Sequence, residues 1–476
     1  MPENSDALKE FIASLPYSYK VTANAAQIRG NYQKMEGKTV SIAGRITAVR
    51  KAGKLIFIDV LDITGKIQAY FEFNALGEKT FNALKTLNPG DMIGVEGTVF
   101  KTTPGEISVK VAKYVQLAKA IRPLPDKWHG IQSAETRYRK RYLDLIINPE
   151  ARDVFIKRSR IIWLIRKFLN GKGFIEVETP VIQPIYGGAD AKPFKTHVNT
   201  LNEERFMRIA TELYLKRLII GGLEKIYEIG KIFRNEDLDT THSPEYTSLE
   251  WYEAYADYND MMDLLEELLE YLTKEVTGST EITYQGKKIS MKRPFKRIKF
   301  IESIKQKTGK DLLKLKDEEL YKFAEGLGIK FLKGKRNRPH AYDKIFEAVM
   351  EKELVQPTFV IDFPRESSPL TRPKRGEPTL AERFDLYIDG REYSPSYSEL
   401  QNPVIQKENF EMQERLAEEG DEEAPPKDMD FVEAMEYGMP PTGGLGLGID
   451  RLVMLLTDKA SIKDVILFPM EKREKK

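Results

Sequence analysis

The sequence of 476 residues contains no cysteine. Disulfide bonds, zinc sites with thiolate ligands and thiol nucleophiles are therefore excluded. The chain also lacks an apolar run of membrane-spanning length, and its polar start, Met1–Ser5, lacks the apolar core of a signal peptide. These absences predict a soluble cytoplasmic protein that does not act at a membrane.

The chain has little net charge of either sign, since 75 basic side chains stand against 73 acidic ones. A global electrostatic field is thus excluded, and any polyanion must be bound by local patches. The length predicts two or three domains, and a hydrophobic content of 41% is that of an ordinary globular protein.

Residues 37–120 are predicted to form a small domain of five strands, preceded by an N-terminal helical extension over residues 1–36. Turns that contain glycine separate the strand-like runs, which are Thr39–Val49, Leu55–Leu61, Lys66–Phe73, Asp91–Phe100 and Glu106–Leu117. Five strands in about eighty residues fit a closed β-barrel, of which the OB-fold is an example.

Residues 121–150, rich in Pro, Arg and Tyr, are interpreted as a linker, and residues 151–476 as a catalytic domain. Apolar residues have helical spacing over residues 151–170 and again from about Asp260 to Val276. Strand-like runs, residues 225–233 among them, and helix-like stretches then mix without regular alternation, which indicates an antiparallel α+β domain.

Alternation along the strands assigns the two faces of the barrel. Ile56, Ile58 and Val60 are expected inside, so Phe57 points outward, and Gln68 of the next strand is expected outside as well. An aromatic ring beside an amide can stack on an unpaired base and read its edge. The alternative is that Phe57 packs beneath a loop or a neighbouring domain, and the strands alone favour neither.

Two distant segments carry the polar residues of a candidate nucleotide site. A short polar loop between apolar runs carries Arg234, Glu236 and His242. Arg451 follows a run rich in glycine, residues 443–448. Two guanidinium groups from distant segments are suited to hold a polyphosphate at both ends. Each residue alone would more often be a surface or structural group, so the combined pattern carries the prediction.

These two segments resemble motifs 2 and 3 of the class II aminoacyl-tRNA synthetases. Residues 119–469 resemble, nearly without gaps, the lysyl-tRNA synthetases of this class, with landmarks at residues 122–127, 139–145, 187–189, 212–218, 245–247 and 438–444 and at Glu250. The resemblance implies an α+β fold: an N-terminal five-stranded OB-fold β-barrel, followed by the antiparallel-sheet catalytic domain of the class II synthetases. Residues 173–180 resemble motif 1, which implies a homodimer.

The resemblance further implies that lysine is activated with ATP, that pyrophosphate is released, and that the lysyl group is transferred to the 3′ end of tRNA(Lys). It implies catalytic roles for Arg234, Glu236 and Arg451. Arg234 would hold the α-phosphate and the amino-acid carboxylate, and Arg451 the far phosphate. Glu236 would contact adenine, His242 a phosphate, and Tyr246 would stack on the base. DNA is not among the implied partners.

At the amino-acid end, the resemblance implies that Glu399 pairs with the substrate ε-ammonium and that Tyr252 completes this part of the pocket. Gly188 and Glu212 would hold the α-amino group. A lysine ammonium in a pocket requires fixed carboxylates, because a buried charge without a partner is costly. An acidic substrate would instead require Arg or Lys in place of Glu399.

Magnesium is the implied metal ion, with Asp385 and Glu392 as its ligands. Mg²⁺ commonly takes one or two carboxylates together with phosphate oxygens. The family usually has Glu at the first of these places, so Asp385 is a shorter ligand of the same chemistry.

One departure from the family concerns Pro395, where Asn is usual. Proline has neither a side-chain hydrogen bond nor a backbone N–H to offer. Either Ser394 or Ser396 replaces the missing contact, or the pocket has changed.

For the barrel, the resemblance implies that Phe57, Gln68 and Glu106 hold the central base of the anticodon, with Arg45 as a nearby phosphate or base contact. The basic run Arg137–Arg141 is either a solvated face or a contact to the tRNA backbone.

Three alternatives remain. An aspartate or asparagine ligase would share the barrel and the motifs, but Glu399 argues against it. A tRNA-binding paralogue without turnover, or with another substrate, is supported only by Pro395. A paralogue that lysylates a protein is disfavoured by the barrel, because a protein presents no anticodon.

Overall fold

The computed structural model describes residues 6–125, 131, 133–331, 335–418 and 423–473. The chain divides into two compact units, Met1–Gln132 and Ser133–Lys476. Each unit has its own buried apolar core.

The first unit is built around five strands. Its helices are α1 (Asp6–Ala13), α2 (Ala25–Gly30), α3 (Tyr32–Met35) and α4 (Phe73–Leu84), and its strands are β1 (Thr39–Ala52), β2 (Leu55–Leu61), β3 (Lys66–Glu72), β4 (Met92–Lys101) and β5 (Ile107–Ala118). The strands close a barrel in the order β1-β2-β3-β5-β4, with β1 also paired to β4. The predicted five-stranded barrel is confirmed.

The interior of the barrel follows the alternation of the strands. Ile56, Ile58 and Val60 are at most 1% exposed, as predicted, and Ile28 of α2 is also fully buried in this core. A Cβ atom at Gly97 would overlap the backbone of β5, so the two strands approach this closely only because the residue is glycine. Helix α4, between β3 and β4, was not predicted.

The second unit mixes helices with short and long strands. Its helices are α5 (Ala134–Arg139), α6 (Arg141–Ile147), α7 (Pro149–Gly171), α8 (Glu212–Ile220), α9 (Tyr258–Thr277), α10 (Phe300–Thr308), α11 (Asp317–Gly326), α12 (Arg338–Val349), α13 (Pro403–Glu418), α14 (Met429–Glu436) and α15 (Ile449–Leu456). Its strands are β6 (Ile175–Glu176), β7 (Ile182–Gln183), β8 (Lys195–Val198), β9 (Glu203–Met207), β10 (Lys225–Phe233), β11 (Glu245–Ala254), β12 (Glu281–Tyr284), β13 (Lys287–Ser290), β14 (Lys296–Lys299), β15 (Thr358–Pro364), β16 (Pro373–Lys374), β17 (Glu377–Ile388), β18 (Arg391–Ser398) and β19 (Thr442–Gly448).

A nine-stranded sheet organises this unit, with the order β14-β15-β17-β18-β19-β11-β10-β6 and with β16 paired to β17. The pairs β14–β15 and β6–β10 are parallel and the others are antiparallel. The predicted α+β class with a mainly antiparallel sheet is confirmed. Helices α7 and α9 contribute to the core at the sheet, where Ile161, Trp251 and Leu265 are fully buried.

Helix α9 shows how local chemistry sets the element boundaries. The side chain of Asp257 accepts the backbone N–H groups that open the helix, and Gly278, at a φ of 82°, closes it. Among the described residues, no helix is long and apolar enough to cross a membrane.

Residues 133–150 belong to the second unit and not to the predicted linker, because α5 and α6 occupy them. Arg141 is 1% exposed, donates to the Leu467 carbonyl at 2.9 Å and pairs with Asp144 at 2.6 Å. Neither proposed role for the basic run therefore applies to Arg141. Residues 126–130 and 132 of the predicted linker lie outside the described residues.

Candidate functional site

A cleft of about 540 Å³ lies over the middle of the large sheet. Its floor is formed by β11, β18 and β19, which are neighbours in the sheet. Alternate residues of a strand share a face, and the cleft is accordingly lined by Ser248, Glu250 and Tyr252 of β11, Pro395 and Tyr397 of β18, and Gly444, Gly446 and Gly448 of β19. The glycine-rich run is thus part of the floor. A Cβ atom at Gly444 would overlap Tyr252 and Glu399.

Arg234 lies directly after β10, with its backbone N–H bonded to the Pro244 carbonyl at 2.9 Å. Its half-buried guanidinium donates to the Ile209 carbonyl at 3.3 Å and lies 5.6 Å from the centroid of the Tyr246 ring. The exposed Glu236 carboxylate accepts the backbone N–H of Lys192 at 2.8 Å. The structure therefore brings the predicted Arg234, Glu236 and Tyr246 to one cleft.

His242 and Arg451 meet in the cleft although they are 209 residues apart in sequence. The Nε2 atom of His242 lies 3.4 Å from a guanidinium nitrogen of Arg451, and its Nδ1 atom lies 3.0 Å from an oxygen of Asp239. Burial opposes ionisation of Asp239, but hydrogen bonds from His242 and Thr241 hold its pKa well below the usual value. The carboxylate thus orients the imidazole ring toward Arg451.

Arg451 is positioned by the first turn of α15. Its guanidinium donates to the backbone carbonyl of Glu392 at 2.5 Å. The neighbouring Asp450, 2% exposed, accepts from Arg158 of α7 at 2.5 Å and from the backbone N–H of Thr247 at 2.6 Å. These contacts join α15 to α7 and β11, so Arg451 has a fixed place beside the cleft.

Two buried carboxylates, Glu212 and Glu250, line the other end of the cleft, and a third, Glu399, is joined to Glu212 through Lys216 without lining the cleft itself. Glu212, Glu250 and Glu399 are 6%, 8% and 0% exposed. Glu250 accepts from the backbone N–H of Thr211 at 3.2 Å and from the Tyr252 hydroxyl at 3.4 Å. The predicted Glu212, Tyr252 and Glu399 are therefore brought together. Glu250 was noted only as a landmark of the resemblance, and its position on the cleft face of β11 was the signal that could have identified it.

Gly188 also belongs to this end of the cleft. Its φ is +83°, a conformation that side chains other than glycine rarely adopt. A Cβ atom there would approach Glu212 to 3.0 Å and Ala210 to 3.1 Å. Glycine thus permits the loop to pass closely over Glu212.

Lys216 is a buried cation at the same end, and the sequence analysis did not identify it. It is 1% exposed, and its Nζ atom lies 2.6 Å from Glu212 and 2.5 Å from Glu399. The i,i+4 spacing from Glu212 predicts a helical ion pair, but nothing near in sequence indicates the second carboxylate.

Ionisation at this end is controlled by burial. Burial, together with the neighbouring Glu212, raises the pKa of Glu250 to about 7. Burial likewise raises the pKa of Glu399 to about 8, although Lys216 acts in the opposite direction. Burial disfavours the charged form of Lys216, but Glu212 and Glu399 outweigh it and raise its pKa. A second cation would therefore strongly favour the ionised carboxylates.

The two predicted metal ligands lie on adjacent strands. Asp385 of β17 is 1% exposed, and both of its carboxylate oxygens accept from Arg383, at 3.0 and 2.7 Å. Burial raises the pKa of Asp385 to about 7 despite this arginine. Glu392 of β18 is half-buried and lines the cleft. In the part of the chain that the structure describes, no three His, Asp or Glu side chains are grouped as a metal site. The residues fit an ion that takes most of its ligands from phosphate and water.

Of the two alternatives for the contact missing at Pro395, its replacement by Ser394 or Ser396 is contradicted, which leaves a changed pocket. Both serines are fully buried, and their hydroxyls donate to the backbone carbonyls of Gly446 and Gly444, at 2.6 and 2.7 Å. They serve to bind β18 to β19. The cleft at this point is lined by the ring of Pro395 alone.

On the barrel, Phe57 is half-buried on the outer face and belongs to a row of aromatic rings. Its ring meets Tyr70 edge-on at 5.4 Å, and Tyr70 meets Phe100 at 5.3 Å. The row spans three strands. Phe100 was not identified from the sequence, because the pairing of β4 with β5 is what brings it to this face.

The other barrel residues have partners within the unit. Gln68 is 9% exposed and not open as expected, because it packs on the outer face with Ser108, whose hydroxyl donates to its carbonyl oxygen at 2.9 Å. Glu106 pairs with Arg29 of α2 at 2.8 Å.

Arg45 donates to the Gly90 carbonyl at 2.7 Å. The register pairs Arg45 with Leu61, whereas Arg50 is directly opposite Phe57. Arg50 is therefore the arginine directly opposite Phe57, and the role of Arg45 as a nearby phosphate or base contact stays a prediction. Arg50 also pairs with Asp59 at 2.9 Å.

Comparisons with known proteins agree with this architecture. Residues 133–472 match the family described as tRNA synthetases class II (D, K and N), and residues 40–117 match the OB-fold nucleic acid binding domain. The chain is 47% identical over 462 residues to a lysine–tRNA ligase of Clostridium perfringens, covering 96% of this chain and 92% of the relative. It is 51% identical over 458 residues to a lysine–tRNA ligase of Carboxydothermus hydrogenoformans, covering 96% and 94%.

The family match covers most of the second unit, and the relatives extend through the barrel. The polar groups that the family's chemistry requires, arginines at one end of a cleft and fixed carboxylates at the other, are present. The chain therefore belongs to the class II tRNA synthetases of the aspartate, lysine and asparagine group.

Proposed function

We propose that the protein is a lysine–tRNA ligase that activates lysine with ATP and transfers it to tRNA(Lys). The observation that carries the proposal is a cluster of buried carboxylates at the closed end of the cleft: Glu212 and Glu250 line the cleft, and the buried Glu399 is joined to Glu212 through Lys216. Buried carboxylates require cationic partners, and a lysine substrate supplies two ammonium groups. The names of relatives that match over nearly the whole chain support the same substrate.

In the proposed first step, a carboxylate oxygen of lysine attacks the α-phosphorus of ATP, and the bond from that phosphorus to pyrophosphate breaks. No covalent bond to the protein is needed, so catalysis consists of positioning and charge stabilisation. Arg234 would hold the α-phosphate and the lysine carboxylate. Arg451, beside His242, would hold the distal phosphates, while Glu236 and Tyr246 would bind adenine.

Lysine itself would be held by the buried end. Glu399 would accept the ε-ammonium, with Tyr252 and Glu250 beside it. Glu212 and the loop at Gly188 would take the α-ammonium. An acidic substrate would add a negative charge to this end, so the aspartate alternative is disfavoured.

A magnesium ion at Glu392 and Asp385 would neutralise charge on the phosphates of ATP. Glu392 lines the cleft and could bind the ion directly. Asp385, which is held by Arg383, would act on the ion from below the floor of the cleft.

The barrel would recognise tRNA through its outer face. An unpaired anticodon base could stack on Phe57, with Gln68 oriented by Ser108 to contact its edge. Arg50 and Glu106 would border this contact. Since charged tRNA is used in translation, we expect the enzyme to work in the cytoplasm.

A homodimer is proposed through α7 and the strands that follow it. Ile156 and Trp163 are 48% and 57% exposed, and seven residues apart they share one face of the helix. Ile175 and Ile182 are 54% and 51% exposed beside them in sequence. Such apolar exposure is typical of a surface covered by a partner, and sedimentation of the purified protein would test it.

The test of the function is ATP–pyrophosphate exchange, measured with each standard amino acid separately. Exchange with lysine alone is expected. Exchange with another amino acid would show that the end of the cleft near Pro395 has been misassigned. No exchange with any amino acid would support the tRNA-binding paralogue without turnover.

A further inference from the structure

Lys216 is the one buried residue at the amino-acid end whose charge matches that of the proposed substrate. It lies in the second turn of α8, the helix that begins at Glu212. Its Nζ atom is within 2.6 Å of a Glu212 oxygen and within 2.5 Å of a Glu399 oxygen. The two carboxylates are the ones proposed to hold the two ammonium groups of lysine. Lys216 therefore contacts both parts of the substrate pocket.

The charges of this pocket follow from its members. Three buried carboxylates and one ammonium leave an excess of two negative charges when all are ionised. A bound lysine brings two ammonium groups, while its own carboxylate is taken by Arg234 under the proposed function. An amino acid with one ammonium would leave a buried carboxylate without compensation, which is costly.

The surroundings of Glu399 explain why a resident cation is needed. The titratable groups that face it are Glu212 and Lys216 of α8, Glu250 and Tyr252 of β11, and Tyr397 of β18, the strand that ends directly before Glu399. Lys216 is the only cation among them. Among the described residues, no hydrogen bond of regular geometry reaches either carboxylate oxygen of Glu399. Like charges this close cannot all remain ionised without a counter-ion.

We propose that Lys216 is a positioning residue for substrate selection: its ammonium, in contact with both Glu212 and Glu399, holds the two carboxylates in place and favours the ionised form of Glu399, so that the empty pocket with all its groups ionised is two positive charges short. The inference rests on the proposed function. Lys216 is not proposed to contact the reacting atoms. Its effect is on the affinity for lysine and on the pH at which that affinity is reached.

The test is Lys216→Met, which preserves length and removes the charge. Without the ammonium, Glu399 takes up a proton more readily, and each unit by which its pKa rises weakens lysine binding about tenfold at neutral pH. We expect the KM for lysine in pyrophosphate exchange to rise at least tenfold at pH 7 and to return toward the wild-type value at pH 9. Lys216→Arg, which keeps the charge, should retain most of the wild-type pH profile.

The matched control is Lys374→Met. Lys374 pairs at 2.6 Å with Asp362, which is 2% exposed, and neither residue lines the cleft. This control should leave the KM for lysine unchanged at both pH values.

The proposal is overturned if Lys216→Met leaves the KM unchanged, or raises it equally at pH 7 and pH 9, as loss of packing alone would. If that variant does not fold, Lys216→Arg decides: a rise in KM that is independent of pH contradicts the proposal. Absence of lysine-dependent exchange in the wild-type protein would instead refute the proposed function.

Discussion

The two ends of the cleft in the second unit differ in the partners that their charged side chains have. At the nucleotide end, Arg234 and Arg451 are half-buried, and each donates to a neutral backbone carbonyl. At the amino-acid end, Glu212 and Glu399 are buried against the ammonium of Lys216. A guanidinium bonded to a carbonyl keeps its full charge for a ligand. The negative charge of a carboxylate bonded to an ammonium is already partly neutralised. A second cation is needed to neutralise the charge that remains.

The nucleotide end is therefore suited to bind a ligand strongly, whereas the amino-acid end is suited to discriminate between ligands. Half-buried arginines that donate to backbone carbonyls can still bind any polyphosphate well, because a bidentate guanidinium suits phosphate oxygens of every nucleotide. A buried set of charges rejects ligands of the wrong charge, because desolvation must be offset by the correct partner. Selection of the amino acid is therefore expected at the buried end, and stabilisation of the reacting phosphates at the half-exposed end.

The largest expected effect is at the nucleotide end. Arg451→Ala should lower the rate of pyrophosphate exchange about 10³-fold, since a cation that stabilises a phosphoryl transition state contributes at this level. The KM for lysine should change little. Arg297→Ala, which removes an exposed arginine paired with Asp263, is the control. Near-normal exchange by Arg451→Ala would remove this residue from the nucleotide site.

The second effect is at the amino-acid end. Glu399→Gln should raise the KM for lysine about 100-fold, because loss of one partner of a buried charge pair costs a few kcal/mol. The KM for ATP should be unaltered, and Glu302→Gln, on the exposed face of α10, should have no effect. An equal rise in both KM values would mean that the two ends do not act separately.

The third effect is on pH dependence. Burial raises the pKa of Glu250 to about 7 and that of Glu399 to about 8, so both carry protons in the empty pocket at lower pH. A bound ammonium favours their ionised forms. The KM for lysine should therefore fall as pH rises from 6.5 to 8.5, by about tenfold for one such group. A KM for lysine that stays constant over this range would contradict the assignment, and the KM for ATP serves as the internal reference.

The smallest effect concerns the barrel, where neither end of the cleft is touched. Phe57→Ala should weaken tRNA charging about fivefold, the lower limit for one stacked base, and should leave lysine-dependent exchange intact. Phe11→Ala removes a 41% exposed ring of α1 in the same unit and should leave both reactions unchanged. Loss of exchange in Phe57→Ala would show that the barrel is not a separate recognition unit.

Local patterns predicted much of this molecule. The alternation of Ile56, Ile58 and Val60 identified the barrel interior, because period-two burial is visible within one strand. The runs 225–233 and 260–276 were likewise found where strand β10 and helix α9 occur. Their apolar faces are contiguous in sequence, so no distant contact is needed to recognise them.

What local patterns missed depends on partners far along the chain. Arg141 looked like part of a basic linker, but the carbonyl that it binds belongs to Leu467, 326 residues later. Lys216 looked like an ordinary helical lysine, and its second carboxylate comes from Glu399. Ser394 faces into the sheet and its hydroxyl is taken by the β19 backbone. In each case the charge or hydroxyl is visible in sequence, whereas its partner is not.

The long-range contacts of α15 determine when, during synthesis of the chain, the complete cleft can form. Asp450 joins this helix to Arg158 and Thr247, which are synthesised 292 and 203 residues earlier. Contacts across such separations form late, because the intervening chain must first be brought together. A nascent chain that already contains the barrel, the buried carboxylates of the cleft and Arg234 still has no Arg451. If Arg451 has its proposed role, amino-acid activation is expected to begin only when nearly the whole polypeptide has been synthesised.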